Sequence, residues 1–349
     1  MINSLNALIR FSDGEEAHFP LSDGLSVMAS ARAAGITMAL DCRQGICQVC
    51  KCTRVEGAVS YEDRASLTLT ESDEATGAFL PCVARATDSL VFDAPYERAS
   101  LQIVKTKAAE VVSLEPIADS TVCVTVRFGK IGRIDFLPGQ YFKLRLPDGQ
   151  TRSYSMATSP AEWPVVKFLI RLVPGGKTGH YIEHTVKPGD KIEFAGPYGA
   201  FYLRNDAAPI LMIAGGTGLA PLLSMFSALR ARNDLLRNVV LCFGVTHEEA
   251  LFYRGELDQL RDEFVNLDLR VAVQRPGPDW TGKVGSALDL VTDADIAAVV
   301  AGGHASYLCG PQGMVESATQ RLLRGGAERR RIFAEEFLPT GSSATPVPA

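Results

Sequence analysis

Four of the eight cysteines in this 349-residue chain are spaced for metal chemistry. Cys42, Cys47 and Cys50 run as C-x4-C-x2-C, and Cys82 follows thirty-two positions later. This is the ligand spacing of a plant-type 2Fe–2S cluster, in which three thiolates converge from one tight loop. Gly45 lets that loop curl without a Cβ clash, and loop amides can donate to the sulfurs. The other chemistry open to four cysteines is a zinc site. Such sites are usually built from two C-x2–4-C knuckles, and Cys82 has no such partner nearby. An iron–sulfur centre moves single electrons, so the rest of the chain should show their source.

Several stretches could supply it. Arg152-Ser153-Tyr154-Ser155 offers a guanidinium for a pyrophosphate, an aromatic ring for one face of a flavin and hydroxyls for a ring nitrogen or carbonyl. On its own it could equally be an exposed strand. Gly175-Gly176-Lys177-Thr178-Gly179-His180 precedes a short helical run, Tyr181–His184, whose free amides favour phosphate; a plain hairpin turn fits the spacing as well. Gly196-Pro197-Tyr198-Gly199-Ala200-Phe201 could likewise be only a turn. Gly215-Gly216-Thr217-Gly218-Leu219-Ala220-Pro221 is a stronger signal. It follows a short apolar run and opens a helix near Pro221, so a diphosphate can approach the backbone. It is neither a G-x-G-x-x-G fingerprint nor a P-loop, which disfavours ATP hydrolysis. Cys309-Gly310-Pro311-Gln312-Gly313-Met314 ends a late strand, where ligands bind in open α/β sheets, and this would put Cys309 near a nicotinamide. Cys52, Cys123 and Cys242 read as core or near-cluster residues. His18, His180, His184, His247 and His304 are scattered without a metal-binding spacing, and nothing beyond a phosphate contact for His180 is assigned to them.

Composition bounds the partners. The net charge is −5, with a sequence pI of about 5.7 and no basic stripe, which argues against nucleic acid. Clustered cysteines in a chain whose first residues, Met1 to Phe11, show no leader pattern suggest metal ligation in the reducing cytoplasm. The uncharged stretch 207–229 is long enough to span a bilayer. Its glycine turn favours a strand, a turn and a helix, so no membrane insertion is expected.

Positioning these residues requires three kinds of scaffold. Residues 1–98 read as a hairpin (Leu8–Phe11 with Ala17–Leu21), a helix (Ser26 to Ala34), the cysteine loop and short strands at Lys51–Val55, Val59–Tyr61 and Leu90–Phe92, with a helical turn at Thr70–Ala75 and a linker near Pro95. Residues 99–205 are strand-rich, with apolar runs at Val122–Phe128, Tyr141–Leu146 and Val166–Leu172, and imply a small antiparallel barrel. Residues 206–340 alternate strands (Ile210–Ala214, Asn238–Val245, Leu267–Val273, Ser306–Cys309) with helices, which implies a parallel α/β sheet. Residues 341–349 read as a loose tail.

Taken together, the motifs resemble the NADH-dependent reductases of the ferredoxin–NADP reductase superfamily that carry an N-terminal plant-type ferredoxin domain. In domain order and length the chain is most similar to the reductase components of two-component aromatic-ring dioxygenases of the benzoate, toluate or anthranilate type. The resemblance implies a multidomain protein with a β-grasp ferredoxin domain (α+β), an antiparallel β-barrel that binds FAD and an α/β parallel-sheet domain that binds NADH. It implies cluster ligation by Cys42, Cys47, Cys50 and Cys82. FAD and nucleotide binding fall to Arg152, Ser153, Tyr154, Ser155, Gly176, Lys177, Thr178, Gly179, Gly196, Gly215, Gly216, Thr217, Gly218, Gly310, Pro311 and Phe337. Around the reacting atoms it places Ser155, Cys309, Glu335 and Phe337, the last two within Phe333-Ala334-Glu335-Glu336-Phe337. Electrons would leave for a terminal oxygenase, with the chain a monomer. The same reductase could serve a soluble di-iron monooxygenase, or be a redox sensor that does not turn over. Two positions depart from the family pattern: Thr178 or Gly179 stands where the phosphate-contacting serine is usual, and Gln48 where the cluster loop commonly has glycine or serine. Thr246-His247-Glu248-Glu249-Ala250 supplies carboxylates that suit ribose hydroxyls, which favours NADH over NADPH.

Overall fold

The computed structural model describes residues 5–337; the tail expected at 341–349 lies outside them. The chain folds as two units. One takes in the described residues through Lys105 together with Ile134–Phe136 and Gly196–Ala200, and the other holds the remaining described chain.

In the first unit, β1 (Asn6–Arg10) and β2 (Glu16–Pro20) form an antiparallel hairpin, and α1 (Val27–Ala33) begins at Ser26, whose side chain caps Ala29 N. The chain continues through β3 (Cys52–Glu56), β4 (Val59–Ser60), α2 (Glu71–Ala75), β5 (Ala78–Phe79), β6 (Arg85–Ala86) and β7 (Leu90–Asp93). The main sheet runs β2-β1-β7-β3-β5, with β1 and β7 parallel and the other pairs antiparallel. Alternation in β1 and β2 sends Ile9 and Phe19 inward, where Phe79 and Phe92 meet edge to face at 5.3 Å. Tyr96, expected beside a linker, is instead a core residue with 0% exposure, packed 6.2 Å from Phe11.

The barrel comprises β8 (Lys105–Ala118), β9 (Thr121–Phe128), β10 (Tyr141–Arg145), β11 (Thr151–Ser155), β12 (Val165–Arg171) and β13 (Lys191–Tyr198), with α3 (Lys177–His184) between the last two. The strand order is β11-β10-β13-β8-β9-β12, and an antiparallel bridge between Met156 and Phe168 ties one edge to the other. Closure removes the open edges, and Phe128, Phe142, Phe168 and Phe194 fill the interior, each 2% exposed or less.

The parallel sheet contains β14 (Ile210–Gly215), β15 (Val239–His247), β16 (Leu267–Arg275), β17 (Lys283–Val284), β18 (Ala305–Pro311) and β19 (Ile332–Phe337), in the order β17-β16-β15-β14-β18-β19. Its helices are α4 (Leu219–Ala231), α5 (Arg254–Glu263), α6 (Asp293–Gly302) and α7 (Gln312–Arg324). The uncharged stretch 207–229 is therefore β14, a glycine turn and α4, and among the described residues no helix is long and apolar enough to cross a membrane. Pro221 sits inside the first turn of α4 and does not start it. Barrel residues Cys123 and Leu169 share one apolar cluster with Met225, Phe226 and Phe243 of the sheet layers. This common core makes the barrel and the sheet one unit.

Candidate functional site

Three left-handed residues shape the cysteine loop: Arg43 at φ 60°, Gly45 at φ 75° and Gln48 at φ 56°. The resulting curl turns amides inward. Gln44 N and Cys47 N each donate to Cys42 Sγ at 3.4 Å, and Cys42 N donates to Cys47 Sγ at 3.5 Å. The thiols come together two by two, Cys42 hydrogen-bonded with Cys47 and Cys50 with Cys82. The shared hydrogen in each pair drives one thiol down and the other up. Cys42 falls to about 5 while Cys47 rises, and Cys82 falls while Cys50 rises. Two close thiol pairs, ringed by donating amides, suit a two-iron cluster that takes two thiolates at each iron.

Gln48 departs from glycine at a position whose φ glycine would favour. Its amide group bridges the loop, donating to Thr68 O at 3.4 Å and accepting from Lys51 Nζ at 2.5 Å. Thr68 and Tyr96 support the loop without any signal in the cysteine spacing. The Thr68 hydroxyl donates to the carbonyls of Gly45 and Ile46 at 3.2 and 3.1 Å, and the buried Tyr96 hydroxyl accepts from Ala39 N at 3.1 Å. A Cβ on Gly45 would lie 2.4 Å from Leu67 Cδ2 at a φ of +75°. Gly45→Ala is therefore expected to lower the iron content of purified protein by at least half, a cost of about 1–2 kcal/mol in loop geometry; full occupancy at wild-type stability would show that the loop tolerates the strain.

In the second unit, β11 and α3 bring two of the sequence motifs together. Tyr154 is hydrogen-bonded to Thr178, which is 7% exposed. Lys177 pairs with Asp148 at 2.6 Å. Gly176 caps α3 with no side-chain acceptor for its first amides, which leaves the helix start to phosphate. Arg152 is held along the strand by Thr151 O and Gln150 Oε1, each at 2.9 Å. Ser155 is buried at 7%, whereas Ser153 is exposed on the strand and pairs across to Lys143.

The two glycine motifs of the parallel sheet meet at its switch point. From β14 the chain goes to β15 and β16 on one side, and β18 lies on the other. Crevices at the carboxyl ends of strands that part in this way bind ligands in open α/β sheets. Those ends carry Gly215 and Cys309 to Pro311. A Cβ at Gly218 would fall 2.2 Å from Cys309 O, and one at Gly310 would fall 3.0 Å from Gly215 N, so both turns need glycine for close approach. Gly216, at φ +53°, faces open space, which leaves room for a dinucleotide.

β19 completes the group. Cys309 registers with Glu335 and Pro311 with Phe337 across the β18–β19 pair. Although part of Glu335 reaches the surface, enough protein surrounds its carboxyl for burial to push it up to about 8. The fully buried Cys309 thiol rises through burial, and the neighbouring Glu335 adds to that. A carboxyl raised this far favours its protonated form at neutral pH. A raised carboxyl contributes stability that is complete below its ordinary range near 4.5 and is lost as pH rises through about 8. Relative to wild type, Glu335→Gln is expected to keep a flatter melting temperature between pH 5 and 8.5, measured by calorimetry. Parallel pH curves would contradict the raised carboxyl. Glu248, one of the carboxylates expected to suit ribose hydroxyls, lies 3.7 Å from Arg254.

Comparisons with known proteins agree with this geometry. Family models described as a 2Fe-2S iron-sulfur cluster binding domain, an oxidoreductase FAD-binding domain and an oxidoreductase NAD-binding domain match residues 10–87, 108–202 and 212–320. The chain is 32% identical over 334 residues to the toluate 1,2-dioxygenase electron transfer component of Pseudomonas putida, covering 94% of this chain and 96% of the relative. It is also 32% identical over 338 residues to the 2-halobenzoate 1,2-dioxygenase electron transfer component of Burkholderia cepacia, covering 95% and 97%. Among solved structures, an Amycolatopsis cytochrome P450 reductase is similar with a TM-score of 0.70 and 27% identity over 96% of this chain and 99% of the other. The paired-thiol loop, the barrel and the glycine-lined switch point therefore belong to one protein plan, and the chain is a member of the ferredoxin–NADP reductase family, among its oxidoreductases with a 2Fe–2S ferredoxin domain.

Proposed function

We propose that this protein draws electrons from NADH and delivers them, through FAD and a 2Fe–2S cluster, to a terminal aromatic-ring-hydroxylating dioxygenase of the Rieske type. The observation that carries the reading is the presence in one chain of two paired thiol sets and of a dinucleotide crevice at a sheet switch point. When bound, the flavin supplies exchange between a two-electron hydride and single electrons, and the cluster supplies a one-electron relay. The chain's own residues bind and orient. Gly215, Gly216, Thr217, Gly218, Gly310 and Pro311 admit the dinucleotide backbone. Arg152, Tyr154, Gly176, Lys177, Thr178 and Gly179 hold the flavin's phosphates and ring, with Ser153 and Gly196 as further contacts on that side. Ser155, Cys309, Glu335 and Phe337 surround the reacting atoms, Glu335 keeping a proton in place near neutral pH. Residues 1–98, 99–205 and 206–340 serve as cluster, flavin and nucleotide modules of a cytoplasmic monomer. Support for a dioxygenase as the acceptor comes from the two relatives named as dioxygenase electron transfer components. A P450-type terminal enzyme is the second reading, favoured by the likeness to the Amycolatopsis reductase.

The test begins with a visible spectrum before and after anaerobic NADH. Flavin and iron–sulfur bands that both bleach, followed by product formation with an added benzoate-type oxygenase component, are the expected results. NADPH should serve less well than NADH. A colourless zinc protein would overturn the reading, and rescue of only a P450 would replace the acceptor.

A further inference from the structure

The five histidines are scattered along the chain, and α3 brings two of them together. His180 and His184 lie one turn apart on this helix, both exposed, with ring centroids 4.8 Å apart and planes at 59°. We infer that His180 and His184 form a two-point surface site for a late first-row divalent cation (Cu2+, Ni2+ or Zn2+).

The geometry can be checked against what such a chelate demands. A metal–imidazole bond of about 2.1 Å places the ion about 3.2 Å from each ring centroid, and an angle of about 90–109° at the metal then sets the centroids about 4.5–5.2 Å apart. The observed 4.8 Å falls inside that window. Residues four apart on a helix share a face, and exposure leaves both rings open to an incoming ion. Neutral imidazole suits Cu2+, Ni2+ and Zn2+ over the harder Mg2+ and Ca2+, with Cu2+ bound tightest.

Glu183 stands between the two histidines, so residues 180–184 read His-x-x-Glu-His, an order also found on zinc-peptidase helices. Peptidase zinc sites take three protein ligands. Among the described residues no third side chain completes such a set, so water fills the remaining positions and no hydrolytic activity is inferred. Clamping two side chains one turn apart favours the helical state of α3 by linkage. Its first turn carries Thr178, the hydrogen-bond partner of Tyr154. Occupancy at the surface is thereby coupled to order at the start of the same helix.

The test uses untagged, full-length protein loaded with flavin and cluster, with Ni2+ as the probe. Wild type is expected to be retained on an immobilised Ni2+ column and to bind one Ni2+ by calorimetry. His184→Asn should elute early and bind Ni2+ about tenfold or more weakly, since losing even an outer partner at a metal site costs about 10–100-fold, while its metal-free NADH–ferricyanide rate stays at the wild-type level. The double variant His180→Asn/His184→Asn should bind no Ni2+ above background. Undiminished Ni2+ binding in the double variant would overturn the proposal, as would binding that displaces iron and bleaches the cluster band in all three proteins, because the cysteines would then be the site.

Discussion

Cys47→Ser is expected to abolish electron delivery to cytochrome c or to a terminal oxygenase component, while NADH-driven reduction of ferricyanide survives. Cys47 is hydrogen-bonded to Cys42, and the two accept amides from Cys42, Gln44 and Cys47 in one tight loop. Serine keeps the volume but replaces a soft thiolate by an alcohol that stays protonated, and soft ligands are what iron–sulfur clusters require. Losing even an outer hydrogen-bonding partner at a metal site costs about 10–100-fold, so loss of a ligand should lower cytochrome c reduction by more than about 100-fold. The dinucleotide crevice and the Tyr154–Thr178 contact lie in the other unit and do not use Cys47. Ferricyanide activity at the wild-type level is therefore the second half of the prediction. Equal loss of both activities, in a protein with a wild-type melting temperature, would show that the two sites are not separable.

Gly218→Ala carries the second large effect. Gly218 has φ −60°, which alanine adopts freely, so backbone conformation adds no penalty. The obstacle is steric: the new Cβ would sit 2.2 Å from Cys309 O and 2.6 Å from Cys309 C. Both are backbone atoms of Cys309, which is fully buried, and they cannot rotate away. The glycine turn and the end of β18 must separate, which should cost about 1–3 kcal/mol of stability. A displacement of about 1 Å at the crevice should lower kcat/KM for NADH about 100-fold. Gly255→Ala is the control, because its Cβ would meet nothing within 4 Å on α5. It should leave kcat/KM unchanged and leave stability equal or raised by up to about 1 kcal/mol. If Gly218→Ala behaves like Gly255→Ala, the close approach of the two motifs is not needed for nucleotide use.

The cluster loop was legible in the sequence because three ligands lie within nine residues, where local geometry alone makes them converge. The βα alternation of residues 206–340 and the apolar strands of the barrel were legible for a similar reason, since side-chain period is a local property. The edge strands β17 and β19 were not read as strands. β17 has two residues, and β19 becomes a strand only by pairing with β18. The elevated Glu335 carboxyl, the approach of Gly218 to Cys309 and the support of Gly45 by Thr68 join residues far apart in the chain. Burial and contact of that kind arise only when the sheet and loop assemble. His180 and His184 show the boundary most plainly. Their spacing was always present, yet four residues apart means a shared face only once α3 forms, and a metal site only once that face is found open to solvent. Local periodicity and ligand spacing are written in the chain itself; proximity, burial and exposure are properties of the packed structure, because each depends on which distant segment arrives alongside.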